Sequence, residues 1–122
     1  MAEHKRCTGW WKQYNHREEM EGLLISIDGN SISGSGYDVV GMFILSGILS
    51  EDLSVNILKQ YIDKHSVNYK GQFDGISRMW GLWTIDWMAG PWEIQFREKT
   101  QESYVSEKED IMPSGTQTGD NS

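Results

Sequence analysis

Eight short segments with β-strand character follow one another between residues 8 and 97, and almost every break between them carries Gly, Asp, Asn or Ser. Apolar side chains recur at every second position in most of these segments, as in a strand with one buried face. Eight antiparallel strands joined by short turns can close into a barrel whose interior is packed with side chains or holds one small ligand. The pattern therefore predicts an all-β fold, an eight-stranded antiparallel up-and-down (meander) β-barrel.

The predicted strands cover residues 8–16, 20–27, 31–37, 41–49, 53–62, 65–73, 77–85 and 91–97. Asp28-Gly29-Asn30 and Asp74-Gly75 are strong turn signals, because Gly and Asn adopt positive φ at little cost. Residues 53–64 are ambiguous, since their apolar side chains would also line one face of a helix. The alternation of Val55 and Ile57 with polar neighbours favours a strand.

The 122-residue chain is long enough for one domain and too short for two. Residues 1–7 are polar and are expected to form a flexible lead, with the barrel over residues 8–97. Residues 98–122 contain six acidic and two basic residues, so they cannot bury enough apolar surface to offset the entropy lost on ordering. We expect a disordered acidic tail there, with a short docking element around Tyr104-Val105 or Ile111-Met112 as the alternative.

The charge and the cysteine content restrict the partners and the compartment. The net charge is −7 without a Lys/Arg cluster, which argues against binding to nucleic acid or to an anionic membrane surface. The first 14 residues contain no apolar run of signal-peptide length, and no stretch approaches the roughly 20 apolar residues of a membrane span. Cys7 is the single cysteine, so no internal disulfide can form. Together these features predict a soluble, cytoplasmic protein.

Gly9-Trp10-Trp11 opens the first segment, and a Gly-x-Trp at this point resembles the start of two families of closed barrels, the avidins and the lipocalins. The order of the later segments is more similar to that of avidins. The local matches are Gly9-Trp10-Trp11-Lys12-Gln13, Ser31-Ile32-Ser33-Gly34-Ser35, Leu45-Ser46-Gly47, Tyr69-Lys70-Gly71-Gln72-Phe73 and Leu82-Trp83-Thr84. The resemblance covers residues 8–97 at the level of architecture, and it implies a barrel with a ligand site inside.

The same resemblance argues against biotin as the ligand. Avidins bind the ureido ring of biotin with small polar side chains, and four of these positions differ here: Gln13 stands for Asn, Gly36 for Tyr, His65 for Ser and Val67 for Thr. The aromatic walls are similar, because Trp83 matches a ligand-stacking Trp and Tyr69 an inner aromatic residue. Since buried polar groups decide which polar ligands are accepted, the resemblance implies an apolar or aromatic ligand instead.

The predicted ligand-binding residues face the barrel interior: Trp11, Gln13, Lys59, Tyr61, Tyr69 and Trp83. Trp11 and Trp83 would also fit a packed core, so the sequence leaves open whether a cavity exists. The ordinary position for Lys59 is the barrel mouth, with its amine in water. If Lys59 points inward, it needs a carboxylate partner or an anionic ligand, and the Tyr61 and Tyr69 hydroxyls could complete an anion-recognising pocket.

Three functions are compatible with this pattern, and we favour a non-enzymatic barrel that binds a small apolar or aromatic ligand. The second is a scaffold for self-assembly, such as a homo-oligomer, or for protein–protein interaction through tryptophans on the outward parity, Trp10, Trp80 and Trp87. The third is an enzyme, which a titratable pair facing each other inside the barrel would favour, although no catalytic residue is identified. Scattered histidines and one cysteine predict neither a metal site nor a cofactor.

Overall fold

The computed structural model describes residues 3–97, which form eight β-strands in one closed antiparallel barrel. The strands are β1 (Lys5–Gln13), β2 (His16–Asp28), β3 (Ser31–Tyr37), β4 (Met42–Leu49), β5 (Ser54–Tyr61), β6 (Ser66–Phe73), β7 (Arg78–Ile85) and β8 (Met88–Phe96). Each strand pairs with the next along the chain, and β8 returns to pair with β1. The predicted all-β meander barrel is confirmed, while the predicted tail at 98–122 lies outside the described residues.

Several strand boundaries differ from the predicted ones. β1 begins at Lys5, three residues earlier than expected, because Lys5–Cys7 pair with residues 23–25 of β2. These three residues, assigned to the flexible lead from the sequence, therefore belong to the barrel wall. β8 begins at Met88, also three residues early. The ambiguous stretch 53–64 contains β5 and the turn after it, so the strand interpretation is the right one.

The two ends of the barrel differ. At one end, which we call the packed end, apolar side chains fill the interior, among them the fully or nearly fully buried Ile32, Val55, Met79 and Ile94. The other end, the loop end, carries the turns at residues 14–15, 38–41, 62–65 and 86–87. No helix in residues 3–97 has the length and apolar character that crossing a membrane would require.

Two glycines allow β6 and β7 to approach closely. Gly71 and Gly81 pair across the two strands, and a Cβ on either would collide with a backbone carbonyl of the opposite strand. Trp92, the largest fully buried side chain, pairs with Gly81 on the other side, and its Nε1 donates to the Lys70 carbonyl at 3.2 Å. The Trp92 ring then supports Tyr69, with ring centroids 5.0 Å apart.

The outer surface of the barrel has an uncharged region and a charged region. Along β3, β4 and β5 every outward side chain is uncharged, and we call this surface the neutral face: Ser31, Ser33, Ser35, Tyr37, Met42, Ile44, Ser46, Ile48, Ser54, Asn56, Leu58 and Gln60. The outward positions of β1, β2, β7 and β8 carry charges instead, including Lys12, Arg17, Arg78 and Glu93. Although the chain is acidic, the neutral face carries no charged side chain that would repel a second copy.

Candidate functional site

A cavity of about 320 Å³ lies inside the barrel at the loop end. Five of the six predicted ligand-binding residues line it: Trp11, Gln13, Tyr61, Tyr69 and Trp83. Its other lining residues are Val40, His65, Val67, Ile85 and Met88. Within residues 3–97 the lining comes from β1, β5 to β8 and the neighbouring loops, and none of it from β2, β3 or β4. The cavity therefore occupies one side of the interior, and exposed His65 marks its mouth.

Two tryptophans form the apolar wall of this cavity. Trp11 and Trp83 meet edge to face, with ring centroids 6.3 Å apart and an interplanar angle of 84°. Trp83 donates its Nε1 hydrogen to the Lys12 carbonyl at 2.9 Å. Gly90 leaves the room for this contact, because a Cβ there would lie 2.7 Å from Trp83 Nε1. With its polar atom satisfied by the backbone, Trp83 offers a ligand only aromatic carbon surface.

Lys59 does not lie at the barrel mouth, contrary to its ordinary expected position. Its side chain is fully buried, and it does not line the cavity. Its Nζ lies 2.7 Å from Asp38 Oδ2 and 3.1 Å from the Tyr69 hydroxyl. Four aromatic rings surround the ammonium, with centroids 4.3–5.5 Å away: those of Trp11, Phe43, Tyr61 and Tyr69. Carboxylate and ring faces together replace the water that the charge loses on burial.

Asp38, which sequence reasoning missed, is the partner of this lysine. It lies in the loop between β3 and β4, and its side chain is fully buried. Its Oδ2 accepts hydrogen bonds from Lys59 Nζ at 2.7 Å, Tyr61 Oη at 2.8 Å and Trp11 Nε1 at 3.1 Å. Its Oδ1 accepts from the Val40 backbone N–H at 2.9 Å. Because β1 and β5 are four strands apart in an eight-stranded ring, Asp38 joins opposite walls of the barrel.

The environment keeps this pair charged at neutral pH. Burial lowers the pKa of Lys59 to about 8, against the opposing effect of the Asp38 hydrogen bond. Burial pushes the pKa of Asp38 upward, but the hydrogen bonds from Lys59 and Tyr61 hold it below its ordinary 3.8. Burial and the nearby Asp38 raise the pKa of both Tyr61 and Tyr69. Both tyrosines are therefore neutral hydrogen-bond donors across the physiological range.

The Asp38–Lys59 pair is a titratable pair facing each other inside the barrel, the arrangement that would favour catalysis. Neither residue lines the cavity, and the pair reaches it only through the neutral hydroxyls of Tyr61 and Tyr69. In the part of the chain that the structure describes, no three His, Cys, Asp or Glu side chains are grouped so that they could hold a metal ion. The geometry thus offers hydrogen bonds and aromatic contacts to a molecule in the cavity.

The three outward tryptophans do not form one patch. Trp10 and Trp80 are half-buried beneath arginines, since the Arg17 guanidinium lies 4.9 Å from the Trp10 ring and that of Arg78 4.3 Å from the Trp80 ring. Trp87, in the turn between β7 and β8, is 88% exposed. The neutral face, by contrast, carries several exposed apolar side chains on adjacent strands: Tyr37, Met42, Ile44, Ile48 and Leu58.

Comparison of the chain with protein-family models, with curated proteins and with solved structures found no match in any of the three. The closed eight-stranded antiparallel barrel agrees with the architecture that a resemblance to avidins and lipocalins implies. At the level of family, the resemblance stays an expectation.

Proposed function

We propose that this protein is a non-enzymatic β-barrel that binds a small apolar or aromatic ligand in the cavity at its loop end. The observation that carries the proposal is the cavity of about 320 Å³ with aromatic and aliphatic walls. Ligand pockets of proteins commonly range from roughly 300 to 1,000 Å³ and are mostly apolar, with a few polar groups. Gln13 and His65 supply such polar groups near the mouth.

The two tyrosines that line the cavity favour binding over proton transfer. A general acid works best when its pKa lies near the operating pH. Burial instead raises the pKa of Tyr69 well above 10, so this hydroxyl keeps its proton. Asp38 and Lys59 neutralise each other, and neither lines the cavity. These residues can hold and orient a ligand without exchanging a proton with it.

The proposal is tested with indane, a small fused-ring hydrocarbon, by titration followed through tryptophan fluorescence. Trp11 and Trp83 line the cavity, so an occupant changes their surroundings. We expect a saturable change with the wild-type protein. Val67→Phe adds a ring where Val67 lines the cavity and should abolish the change. Val39→Phe makes the same exchange on an exposed loop residue and should leave it intact.

Saturable binding that Val67→Phe removes and Val39→Phe retains would support the cavity as a ligand site. Circular dichroism of both variants establishes that the barrel is intact. An unchanged wild-type signal up to the solubility limit of indane, or binding that is the same in all three proteins, would contradict the proposal.

A second candidate function is self-association through the neutral face, and the absence of charged side chains at the outward positions of β3 to β5 favours it. Two copies of a chain with net charge −7 repel each other wherever acidic surfaces meet. The neutral face avoids this repulsion, and its exposed Met42, Ile44, Ile48 and Leu58 supply apolar contact area. A two-fold axis would place the same strands of both copies together. Apolar contacts between two copies would therefore form through β4 and β5 rather than through Trp10 and Trp80.

Light scattering coupled to gel filtration tests this second function. If two copies associate through the neutral face, Ile44→Lys should convert a wild-type dimer to a monomer, because it places two like charges in the contact. Thr84→Lys adds the same charge on an exposed position of β7 and should leave the dimer intact. A wild-type monomer at high protein concentration would remove self-association from consideration.

A further inference from the structure

Tyr69 has a hydrogen-bond donor that the protein itself does not use. The residue is only 2% exposed, and it lines the cavity. Its hydroxyl oxygen accepts a hydrogen bond from Lys59 Nζ at 3.1 Å. Over residues 3–97, no hydrogen bond gives the hydroxyl proton of Tyr69 an acceptor. Buried donors are nearly always paired, so a donor of this kind at a cavity wall needs an acceptor from elsewhere.

The surroundings of the Tyr69 hydroxyl limit the groups that can accept its proton. An ammonium has only donors, so the Tyr69 proton cannot point at Lys59. Trp92 packs against the Tyr69 ring, with centroids 5.0 Å apart. Tyr61 differs, because its hydroxyl donates to Asp38 Oδ2 at 2.8 Å and is already used. Of the two tyrosines that line the cavity, Tyr69 is therefore the one with a donor left for a ligand.

Charge decides which kind of acceptor fits. The Lys59 ammonium polarises the Tyr69 hydroxyl, which strengthens it as a donor. Asp38 neutralises that ammonium at 2.7 Å, so the site has no net positive charge to attract an anion. An anionic ligand would have to give up its hydration water and would also lie near the negative Asp38 carboxylate. A neutral oxygen acceptor avoids most of this desolvation free energy. A neutral carbonyl group satisfies the Tyr69 donor and places the rest of the molecule between the aromatic walls.

We infer that the cavity selects neutral ring compounds that carry a carbonyl oxygen, and that Tyr69 is the residue that determines this specificity. The inference rests on the proposed ligand-binding function and deepens it. Trp11 and Trp83 contact the ring system, and the Tyr69 hydroxyl donates to the carbonyl oxygen.

The test compares 1-indanone with indane, because the two share a fused-ring skeleton and differ in one carbonyl group. Dissociation constants of both are measured by fluorescence titration for the wild type, Tyr69→Phe and Tyr37→Phe. Loss of one net hydrogen bond should weaken 1-indanone binding to Tyr69→Phe by about 2- to 10-fold relative to indane. Tyr37→Phe is the matched control, since it removes a hydroxyl from an exposed residue of β3 that does not line the cavity. The ratio of the 1-indanone to the indane dissociation constant should be the same in this control variant as in the wild type.

A carbonyl-selective loss in Tyr69→Phe alone would support the inference. If the ratio of the two dissociation constants is the same in all three proteins, the inference about Tyr69 is overturned. Binding of indane in that case would still support the proposed ligand-binding function. If neither compound binds the wild type, the proposed function itself fails. Should Tyr69→Phe not fold, the infrared carbonyl band of 1-indanone bound to the wild type decides. A shift to lower frequency than in hexane supports a hydrogen bond, and an unshifted band overturns it.

Discussion

A lysine and an aspartate share the interior of this barrel, and each makes the burial of the other tolerable. Lys59 is fully buried, and the Asp38 carboxylate at 2.7 Å is its counter-charge. The carboxylate in turn receives hydrogen bonds from Tyr61, Trp11 and the Val40 backbone. Removal of one member of a buried pair is costly because the remaining charge loses its compensation.

Asp38→Asn should lower the free energy of unfolding by about 3 kcal/mol at pH 7, because it leaves Lys59 without a counter-charge. The pKa of Asp38 lies below its ordinary 3.8 in the folded protein. The stability contributed by the carboxylate is then present above pH 3.8 and lost as the pH falls through the folded-state pKa. The difference between wild type and variant should therefore narrow below about pH 4.

Urea unfolding at pH 7, 5 and 3 measures this difference. Asp63→Asn, on an exposed residue of the turn after β5, is the control and should change stability little at any pH. A difference for Asp38→Asn that stays the same from pH 7 to pH 3 would show that the carboxylate is not a stabilising charge.

The sequence predicts the residues that line the cavity better than it predicts the buried Asp38–Lys59 pair. Trp11 and Trp83 were predictable because strand parity alone places them inside. Asp38 was not, because an aspartate in a short connection is ordinarily exposed to water. The available signal was Lys59, because a lysine with inward parity needs a carboxylate partner or an anionic ligand. The carboxylate that pairs with Lys59 is determined by the position of the β3–β4 loop, which the sequence does not reveal.

At the scale of the strand, β6 and β7 depend on glycines at one level of the barrel. The pairing of Gly71 with Gly81 lets the two backbones approach, and Trp92 packs inside at this level. The alternating pattern predicts both strands, but it does not reveal this approach, since a strand glycine also occurs at bulges and bends. Strand ends were likewise hard to predict where side chains are polar, as at Lys5 in β1.

Gly81→Ala should lower the free energy of unfolding by roughly 2–3 kcal/mol, because the new Cβ collides with the Lys70 carbonyl, which is backbone and cannot rotate away. Gly29→Ala is the control, since nothing lies within 4 Å of a Cβ there and only its φ of 64° opposes the change. We expect a cost of about 1 kcal/mol at Gly29. Equal costs in urea unfolding would show that the close approach of β6 and β7 is unimportant.

At the scale of the molecule, closure of the sheet is what the sequence predicted best. The turn signals and the period of two predict eight consecutive antiparallel strands, and a barrel follows once β1 meets β8. The division of the interior into a packed end and a cavity was beyond the sequence. Both regions use inward aromatic and aliphatic residues, and the β3–β4 loop supplies Val40 to the cavity lining and Asp38 to the buried pair.

Closure predicts a specific pattern of amide hydrogen exchange. β1 and β8 pair from Cys7↔Phe96 to Trp11↔Trp92, so neither is an edge strand along this seam. We expect the paired amides of β1 and β8 to exchange as slowly as those of β4 and β5, the strands opposite them. Exchange of β1 and β8 that is much faster than that of β4 and β5 would show an open sheet.

The bond between Asp38 and Lys59 also limits how this chain can change over generations. A substitution at either position alone leaves an unpaired charge buried in the interior. Replacing both residues with apolar side chains leaves no buried charge that needs a partner. Descendants of this sequence should therefore inherit the two residues together or lose them together, and positions 38 and 59 should covary across any lineage that keeps the barrel.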